Sequence, residues 1–240
     1  MILEVAFAAV YGAALLAYRP TPVSLRERRT QGLGERARHV RGALVLGLLL
    51  ILIYALGTGD SSFSTDDAVL ARFGESVPGV LKQGRVYQIV TAIFLHADFF
   101  HLLSNLTVLA VLSWYECQHG TARFCFVFIW SAMFDTTIGL AFLSPGAVTM
   151  GASAGLFGLV AAYFIDSETR PKGFGQWAKV GFLVMGLSLL VSLSGELTTH
   201  NLKIDHIGHL LGAAGGLVFC RLWPAKGVGG GNPSQPEGPS

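Results

Sequence analysis

Six apolar runs dominate this sequence, and each is long enough to form a helix through much or all of a lipid bilayer. They cover residues 43–56, 86–114, 124–143, 151–165, 180–193 and 204–223, and a weaker seventh run covers residues 2–18. Only 13% of the 240 residues are charged, whereas soluble domains carry about 25%. The sequence therefore predicts an all-α polytopic membrane protein, and nothing in it indicates binding of nucleic acid.

The weaker run at residues 2–18 is expected to be a retained helix. No basic residue precedes it and no clear cleavage site follows it, so a removable signal peptide is disfavoured. Its length is short for a span, so an interfacial or tilted helix stays open. The expected layout is one helix plus six. We assign 1–41 to an N-terminal helix and basic cytoplasmic segment, 42–223 to a six-helix core and 224–240 to a disordered tail.

The basic residues predict the orientation. Residues 19–41 contain seven arginines, which places this segment in the cytoplasm. When the following runs alternate in direction, 13 of the 17 basic residues fall on the cytoplasmic side. The same alternation puts Ser153 in the outer half of the bilayer, at the start of a helix that runs inward.

Ser153 is the candidate nucleophile. It lies in Gly151-Ala152-Ser153-Ala154-Gly155, a Gly-x-Ser-x-Gly pattern that often marks a reactive serine on a tight turn. An isolated serine in a membrane helix usually bonds its own backbone. Here Gly151 allows a tight turn and exposes backbone N–H groups at a helix start, where a developing oxyanion can be held.

The last run supplies two candidate bases for this serine, His206 and His209. Gly212 and Gly216 follow His209 by three and seven residues, so all three share one helical face. Such a glycine stripe would let the helix pack on the small residues around Ser153. This favours His209 as the base and leaves His206, nearer the outer end, as the alternative.

A third polar cluster precedes the serine. His101 and Asn105 are four residues apart, so they share a helical face, and both can donate hydrogen bonds to an anionic oxygen. They could form an oxyanion hole or simply bridge two helices. His96 belongs to the same segment, before a turn expected near Ala97-Asp98. Asp135, inside an apolar run, is expected to bond a neighbouring helix.

These segments together resemble the rhomboid family of intramembrane serine proteases. His96, His101 and Asn105 fit the family's His-x4-His-x3-Asn signature. The remaining matches are Gly151-Ala152-Ser153 with Phe157, similar to the nucleophile motif; His209 with Gly208 and Gly212, similar to the last-helix motif; and Glu116 with Gly120, similar to the end of the second core helix. The resemblance covers about residues 43–223.

The resemblance implies a six-helix rhomboid-like bundle that cleaves single-span membrane proteins within the lipid bilayer, with no cofactor and no metal. Ser153 would attack the scissile carbonyl, and His209 would take its proton. His101, Asn105 and the Ser153 backbone N–H would stabilise the oxyanion.

The resemblance also gives supporting roles. His96 would support the loop geometry and Phe157 would pack under the His209 ring. Residues 57–84 correspond to the family's membrane-embedded first loop.

The sequence departs from the family pattern in two places. Ala154 stands where glycine commonly follows the serine, and Tyr87-Gln88 replaces a tryptophan–arginine pair, which leaves loop geometry and activity level open.

Other readings compete with a rhomboid protease. One is a catalytically inactive relative that binds membrane clients. Another is a membrane zinc hydrolase with ligands among His96, His101, His206, His209 and Asp135, although their spacing does not demand convergence. A soluble α/β-hydrolase would need a strand before Ser153, and a transporter would show an internal repeat.

Overall fold

The computed structural model describes residues 2–18, 32–58, 63–166 and 205–225. Within these ranges every regular element is a helix, joined by a few isolated backbone bridges. The predicted run 180–193, the loop 194–203, residues 19–31 of the basic segment and residues 226–240 of the tail lie outside the described residues.

Nine α-helices are described. They are α1 (Ile2–Tyr18), α2 (Leu33–His39), α3 (Arg41–Gly57), α4 (Asp67–Phe73), α5 (Gln88–Thr91), α6 (Phe99–His119), α7 (Thr121–Ile138), α8 (Ser153–Ile165) and α9 (His206–Leu222). A π-helix at Pro78–Lys82 and 3₁₀ turns at Ala92–Phe94 and Gly139–Ala141 complete the described elements.

Local chemistry fixes where α6 and α7 begin. The Asp98 carboxylate accepts the His101 backbone N–H at 2.8 Å and caps α6. Helix α6 continues to His119, five residues beyond the end of the apolar run at 114. Gly120 then adopts φ +82° and lets the chain turn directly into α7. For this reason α7 begins three residues before the predicted start at 124.

In contrast to α7, the two helices that carry Ser153 and His209 start later than the apolar pattern suggests. Gly151 has φ +128°, which is not helical, and its N–H donates to Ala92 O at 2.9 Å, so α8 begins at Ser153. The Asp205 side chain accepts the Gly208 N–H at 2.7 Å and sets the start of α9 at His206. Both starts leave first-turn N–H groups free of helical acceptors.

Helix α6 lies in the middle of the apolar core. Its inward side chains include Leu102, Leu106 and Leu109, and they pack with α3, α7 and α8. Large apolar side chains also face outward, such as Leu52 of α3 and Phe126 of α7. An outer surface this apolar is suited to lipid rather than water.

Helices α8 and α9 pack in backbone contact. A Cβ added to Gly212 would lie 2.7 Å from the Ala154 carbonyl carbon, and one on Gly216 would lie 2.7 Å from the Gly158 Cα. The expected glycine stripe on α9 therefore does face the serine helix. Gly155 was expected on this interface but instead faces α7, where an added Cβ would meet the Phe128 ring at 2.6 Å.

The far end of the bundle, away from Ser153, is joined by a polar cluster. Arg123 binds Asp166 at 3.2 Å and donates to Trp223 O at 2.6 Å, while the Tyr115 hydroxyl donates to Asp166. These contacts join the starts and ends of α6, α7, α8 and α9. They lie on the side that the charge pattern assigns to the cytoplasm.

Helix length and hydropathy indicate which of the described helices could cross a membrane. In the part of the chain that the structure describes, the helical stretch Thr121–Ala141 is long and apolar enough to cross a membrane. A second candidate arises if Leu33–His39 and Arg41–Gly57, bent by 82°, count as one span. Val5–Leu16 and Ser153–Ile165 are apolar but shorter.

The N-terminal helix packs against the core. The Tyr11 hydroxyl donates to Ala43 O at 3.0 Å, and its ring fills the space left by Gly47 on α3. Phe7 lies 5.1 Å, ring centre to ring centre, from Phe99 at the start of α6. Helix α1 therefore braces the end of the bundle that holds His101.

Candidate active site

Ser153 borders a cleft at the end of the bundle. The residues lining this cleft come from the first loop, from α7, from the turn before α8 and from the start of α9. They are Glu75, Ala92, Asp135, Thr136, Thr149, Met150, Gly151, Ser153, Asp205, Gly208 and His209. Ser153 is the first residue of α8 and is half-buried, so its hydroxyl lies at a helix N-terminus.

His209 borders the same cleft, and its ring is fixed by Phe157. The two rings are stacked, with centroids 4.4 Å apart and planes inclined by 14°. The two groups share this cleft, and in the described part of the chain no hydrogen bond joins them. His206, the alternative base, is exposed and does not line the cleft.

His101 and Asn105 lie beside the turn that precedes Ser153. A Cβ added to Gly151 would lie 2.8 Å from His101 Nε2 and 3.8 Å from Asn105 Nδ2. Any side chain at this position would therefore displace the imidazole, and the positive φ disfavours one as well. The Gly151 N–H donates to Ala92 O and so is not available to a ligand. The Ser153 N–H, in the first turn of α8, has no helical acceptor.

His96 is buried behind this pair. Its Nε2 lies 2.9 Å from Asn105 Nδ2, and its ring makes an edge contact with His101 at 5.0 Å. Its carbonyl accepts the Thr65 hydroxyl at 2.6 Å. An asparagine amide has two N–H donors, so Asn105 keeps one for a ligand. His96 thus orients Asn105 and ties the first loop to the site.

The first loop is held by the pair that departs from the family pattern. Gln88 Nε2 and the Tyr87 hydroxyl both donate to Arg72 O, at 3.1 and 3.2 Å. Thr91 donates to Phe73 O at 2.6 Å. These bonds fasten the end of α4, so Tyr87-Gln88 gives the loop a defined geometry.

For a protease site, the sequence reasoning placed none of the three carboxylates that line the cleft: Glu75, Asp135 and Asp205. Asp135 was expected to bond a neighbouring helix, and its Oδ1 lies 3.0 Å from where a Cβ on Gly208 would stand. Asp205, which precedes the last helix, gives a recognisable capping signal. Glu75 gives none, because its partner Thr149 is 74 residues away.

The same clusters bear on the zinc alternative. Among the described residues, no group of three or more His, Cys, Asp or Glu side chains is arranged to hold a metal ion. His96 and His101 are in edge contact with each other, His209 and Asp135 line the cleft, and His206 lies outside it. The zinc reading therefore has no ligand set in these ranges.

Comparison with known proteins identifies the family. A family model described as the Rhomboid domain matches residues 83–224, more than half of the chain and a range that contains Ser153 and His209. The chain belongs to the rhomboid family. Rhomboids are integral membrane proteins and generally serine intramembrane proteases. No solved structure matches the chain.

Several curated rhomboids are similar to this chain. Rhomboid-like protease 1 of Toxoplasma gondii is 26% identical over 161 residues, 65% of this chain and 53% of that protein. Putative rhomboid protease YdcA of Bacillus subtilis is 30% identical over 146 residues, 60% of this chain and 70% of that protein. Rhomboid protease GluP of the same organism is 25% identical over 72% of this chain and 32% of its own length. The chain thus spans about half of the Toxoplasma relative.

Proposed function

We propose that this rhomboid is an intramembrane serine endopeptidase that uses Ser153 and His209 as a catalytic dyad. The observation that supports it best is that the two side chains border one cleft, with the His209 ring stacked on Phe157. Residues 42–223 are the proposed catalytic core, and the family model matches residues 83–224, which include most of that core. The proposed location is a multi-pass position in a membrane.

The proposed reaction begins at the Ser153 hydroxyl. Its oxygen attacks the scissile carbonyl carbon while His209 accepts the hydroxyl proton. His209 then gives that proton to the leaving amine, and water releases the acyl group from Ser153 by the reverse roles. The hydrogen bond between the two groups forms in the substrate complex, since catalytic hydrogen bonds are often long before substrate binds.

The oxyanion is proposed to lie between α6 and the start of α8. The Ser153 N–H, the His101 imidazole and the Asn105 amide supply donors on two sides of the Gly151 turn. His96 keeps Asn105 in place. Losing one such donor costs serine proteases about 2.7–4 kcal/mol of transition-state stabilisation.

The proposed substrates are single-span membrane proteins. Their peptide carbonyls are shielded by helical hydrogen bonds in the bilayer, so a bond can be attacked only where the helix unwinds. Small or helix-breaking residues near the cut lower the cost of unwinding. Because the proposed cleavage takes place within the bilayer, lipid is the second proposed partner of the enzyme.

The test is cleavage of single-span reporters by the enzyme in liposomes, with fluorophosphonate labelling as a second readout. Ser153→Ala and His209→Ala should abolish cleavage, and Ser153→Ala should also abolish labelling. His206→Ala should retain cleavage, because its side chain is exposed and outside the cleft.

Three outcomes would contradict the proposal. Loss of activity with His206→Ala but not with His209→Ala would make His206 the base. Activity insensitive to Ser153→Ala but removed by a chelator would favour the zinc hydrolase. A folded wild-type protein that neither cleaves nor labels would favour an inactive relative that binds membrane clients.

A further inference from the structure

The cleft beside Ser153 holds three carboxyl groups, which the proposed serine chemistry does not use. Glu75 enters it from the first loop, Asp135 from α7 and Asp205 from the residue before α9. Among the residues that the structure describes, the cleft lining includes no lysine or arginine. A neighbouring cleft shares Glu75 and Asp205 and extends to Gly139 and Phe142. Three separate elements thus bring carboxylates to the nucleophile.

Glu75 is held firmly in this position. Its backbone exchanges two hydrogen bonds with Thr149, each 2.9 Å, and its Oε2 accepts the Thr149 hydroxyl at 3.3 Å. The side chain is only 3% exposed. Its other oxygen, Oε1, has no hydrogen-bond partner among the described residues. A buried carboxylate oxygen without a partner is costly, and it points to a ligand for this cleft.

Asp135 and Asp205 meet at Gly208. An added Cβ on Gly208 would lie 2.6 Å from Asp205 Oδ2 and 3.0 Å from Asp135 Oδ1. The absence of a side chain at Gly208 therefore lets the two carboxylates approach. Asp205 Oδ1 is used by the Gly208 N–H, whereas Oδ2 lies beside the same glycine as Asp135 Oδ1. Like charges this close repel each other, and a cation between them would relieve the repulsion.

We propose that Glu75, Asp135 and Asp205 form a subsite that binds a lysine or arginine side chain of the substrate next to the scissile bond. The subsite rests on the proposed protease function, because the ligand is placed by its attachment to the segment being cut. A substrate cation fits better than a metal ion, since the described residues offer no three-ligand group. It would give Glu75 Oε1 a donor and separate the charges of Asp135 and Asp205.

Burial supports this assignment. Desolvation, followed by the charge of Asp135, raises the pKa of Glu75 to about 8. With this pKa Glu75 holds a proton at neutral pH, and a bound ammonium or guanidinium group would take the place of that proton. The groups facing Glu75 are Asp135 from α7, Asp205 just before α9, His209 from α9 and Thr149 from the turn before α8.

The experiment compares pairs of single-span reporters in liposomes. The two members of a pair differ at one position, which is lysine in one reporter and glutamine in the other. Separate pairs place this position at each of the four residues on either side of the cut. We expect the wild type to prefer lysine by about tenfold in kcat/KM at one position, as a charge-assisted hydrogen bond contributes. Glu75→Gln should bring this ratio close to one and still cleave the glutamine reporter. Asp135→Asn should lower the ratio as well.

The control is Glu35→Gln, an exposed glutamate on α2, which should keep the wild-type ratio. A wild type that cleaves glutamine reporters but prefers lysine at no position would overturn the subsite and leave the protease proposal standing. Ratios unchanged in both Glu75→Gln and Asp135→Asn would also overturn it. A wild type that cleaves no reporter would instead contradict the protease proposal itself.

Discussion

The backbone contact between α8 and α9 can be tested by adding one methyl group. In Gly212→Ala the new Cβ would lie 2.7 Å from the Ala154 carbonyl carbon, whereas ordinary contacts begin at 3.4 Å. The shortfall is at least 0.7 Å, and the obstacle is backbone, which cannot rotate away. The two helices must therefore separate at this level by roughly 1 Å.

The expected effect follows from where the separation occurs. Overpacking of this kind costs about 1–3 kcal/mol of stability. His209 lies one turn before Gly212, so it moves with the displaced backbone, and a misplacement of about 1 Å can reduce a rate by about 100-fold. We expect Gly212→Ala to lower kcat/KM by about 10- to 100-fold.

Gly216→Ala is the matched comparison. Its Cβ would lie 2.7 Å from the Gly158 Cα, so the steric cost is similar. However, Gly216 is seven residues from His209, about 10 Å along the helix. We expect a similar loss of thermal stability with a smaller loss of activity. Gly12→Ala on α1, where the Cβ meets Leu44 at an ordinary 3.7 Å, should change neither.

The assay is cleavage of a single-span reporter in liposomes, with Tm measured in detergent for each variant. Gly212→Ala with wild-type kcat/KM would refute the link between this contact and the position of His209. Equal activity losses in Gly212→Ala and Gly216→Ala, at equal Tm, would show that the effect acts through stability alone.

Two further predictions concern Phe157 and Glu75. Phe157→Leu should lower kcat/KM by about 2- to 10-fold, because the stacked Phe157–His209 pair contributes about 0.5–1.5 kcal/mol. Phe126→Leu, on the exposed side of α7, is the control. Equal kcat/KM in both variants would argue against the stacking role. The pKa of Glu75 is raised by burial from 4.5 to about 8, so the folded protein keeps a proton that the unfolded chain releases and stability falls as pH rises between these values. Between pH 6 and 8, Glu75→Gln should avoid about 2 kcal/mol of this loss and show a smaller drop in Tm than the wild type, and identical drops would contradict the argument.

Spacing along one helix was the reliable part of the sequence reasoning. Gly212 and Gly216 follow His209 at helical intervals, and the structure places both against α8. His101 and Asn105 likewise lie on one side of α6, beside Gly151. These relations are periodic, so they can be read without knowing the tertiary structure.

Relations between elements could not be read in this way. Gly155 was expected against α9 and lies against Phe128 of α7, because small residues on two sides of α8 look equivalent in sequence. The Gly151 N–H donates to Ala92 O, a contact between separate segments that no spacing predicts. The bridge between Glu75 and Thr149 joins two loops with no shared period. Each of these depends on long-range packing that a single sequence does not encode locally.

Two buried carboxylates of this chain differ in whether the fold itself supplies their hydrogen-bond and ion-pair partners. Asp166 and Glu75 are almost equally buried, at 4% and 3% exposed. Asp166 binds the Arg123 guanidinium and the Tyr115 hydroxyl, so its burial is compensated within the fold. Glu75 has one weak hydroxyl donor and one oxygen without a partner among the described residues. An apolar residue in place of Glu75 would avoid that cost, so stability does not explain this carboxylate. A substrate cation bound beside Ser153 would explain it, because the cation would give the unpartnered oxygen a donor.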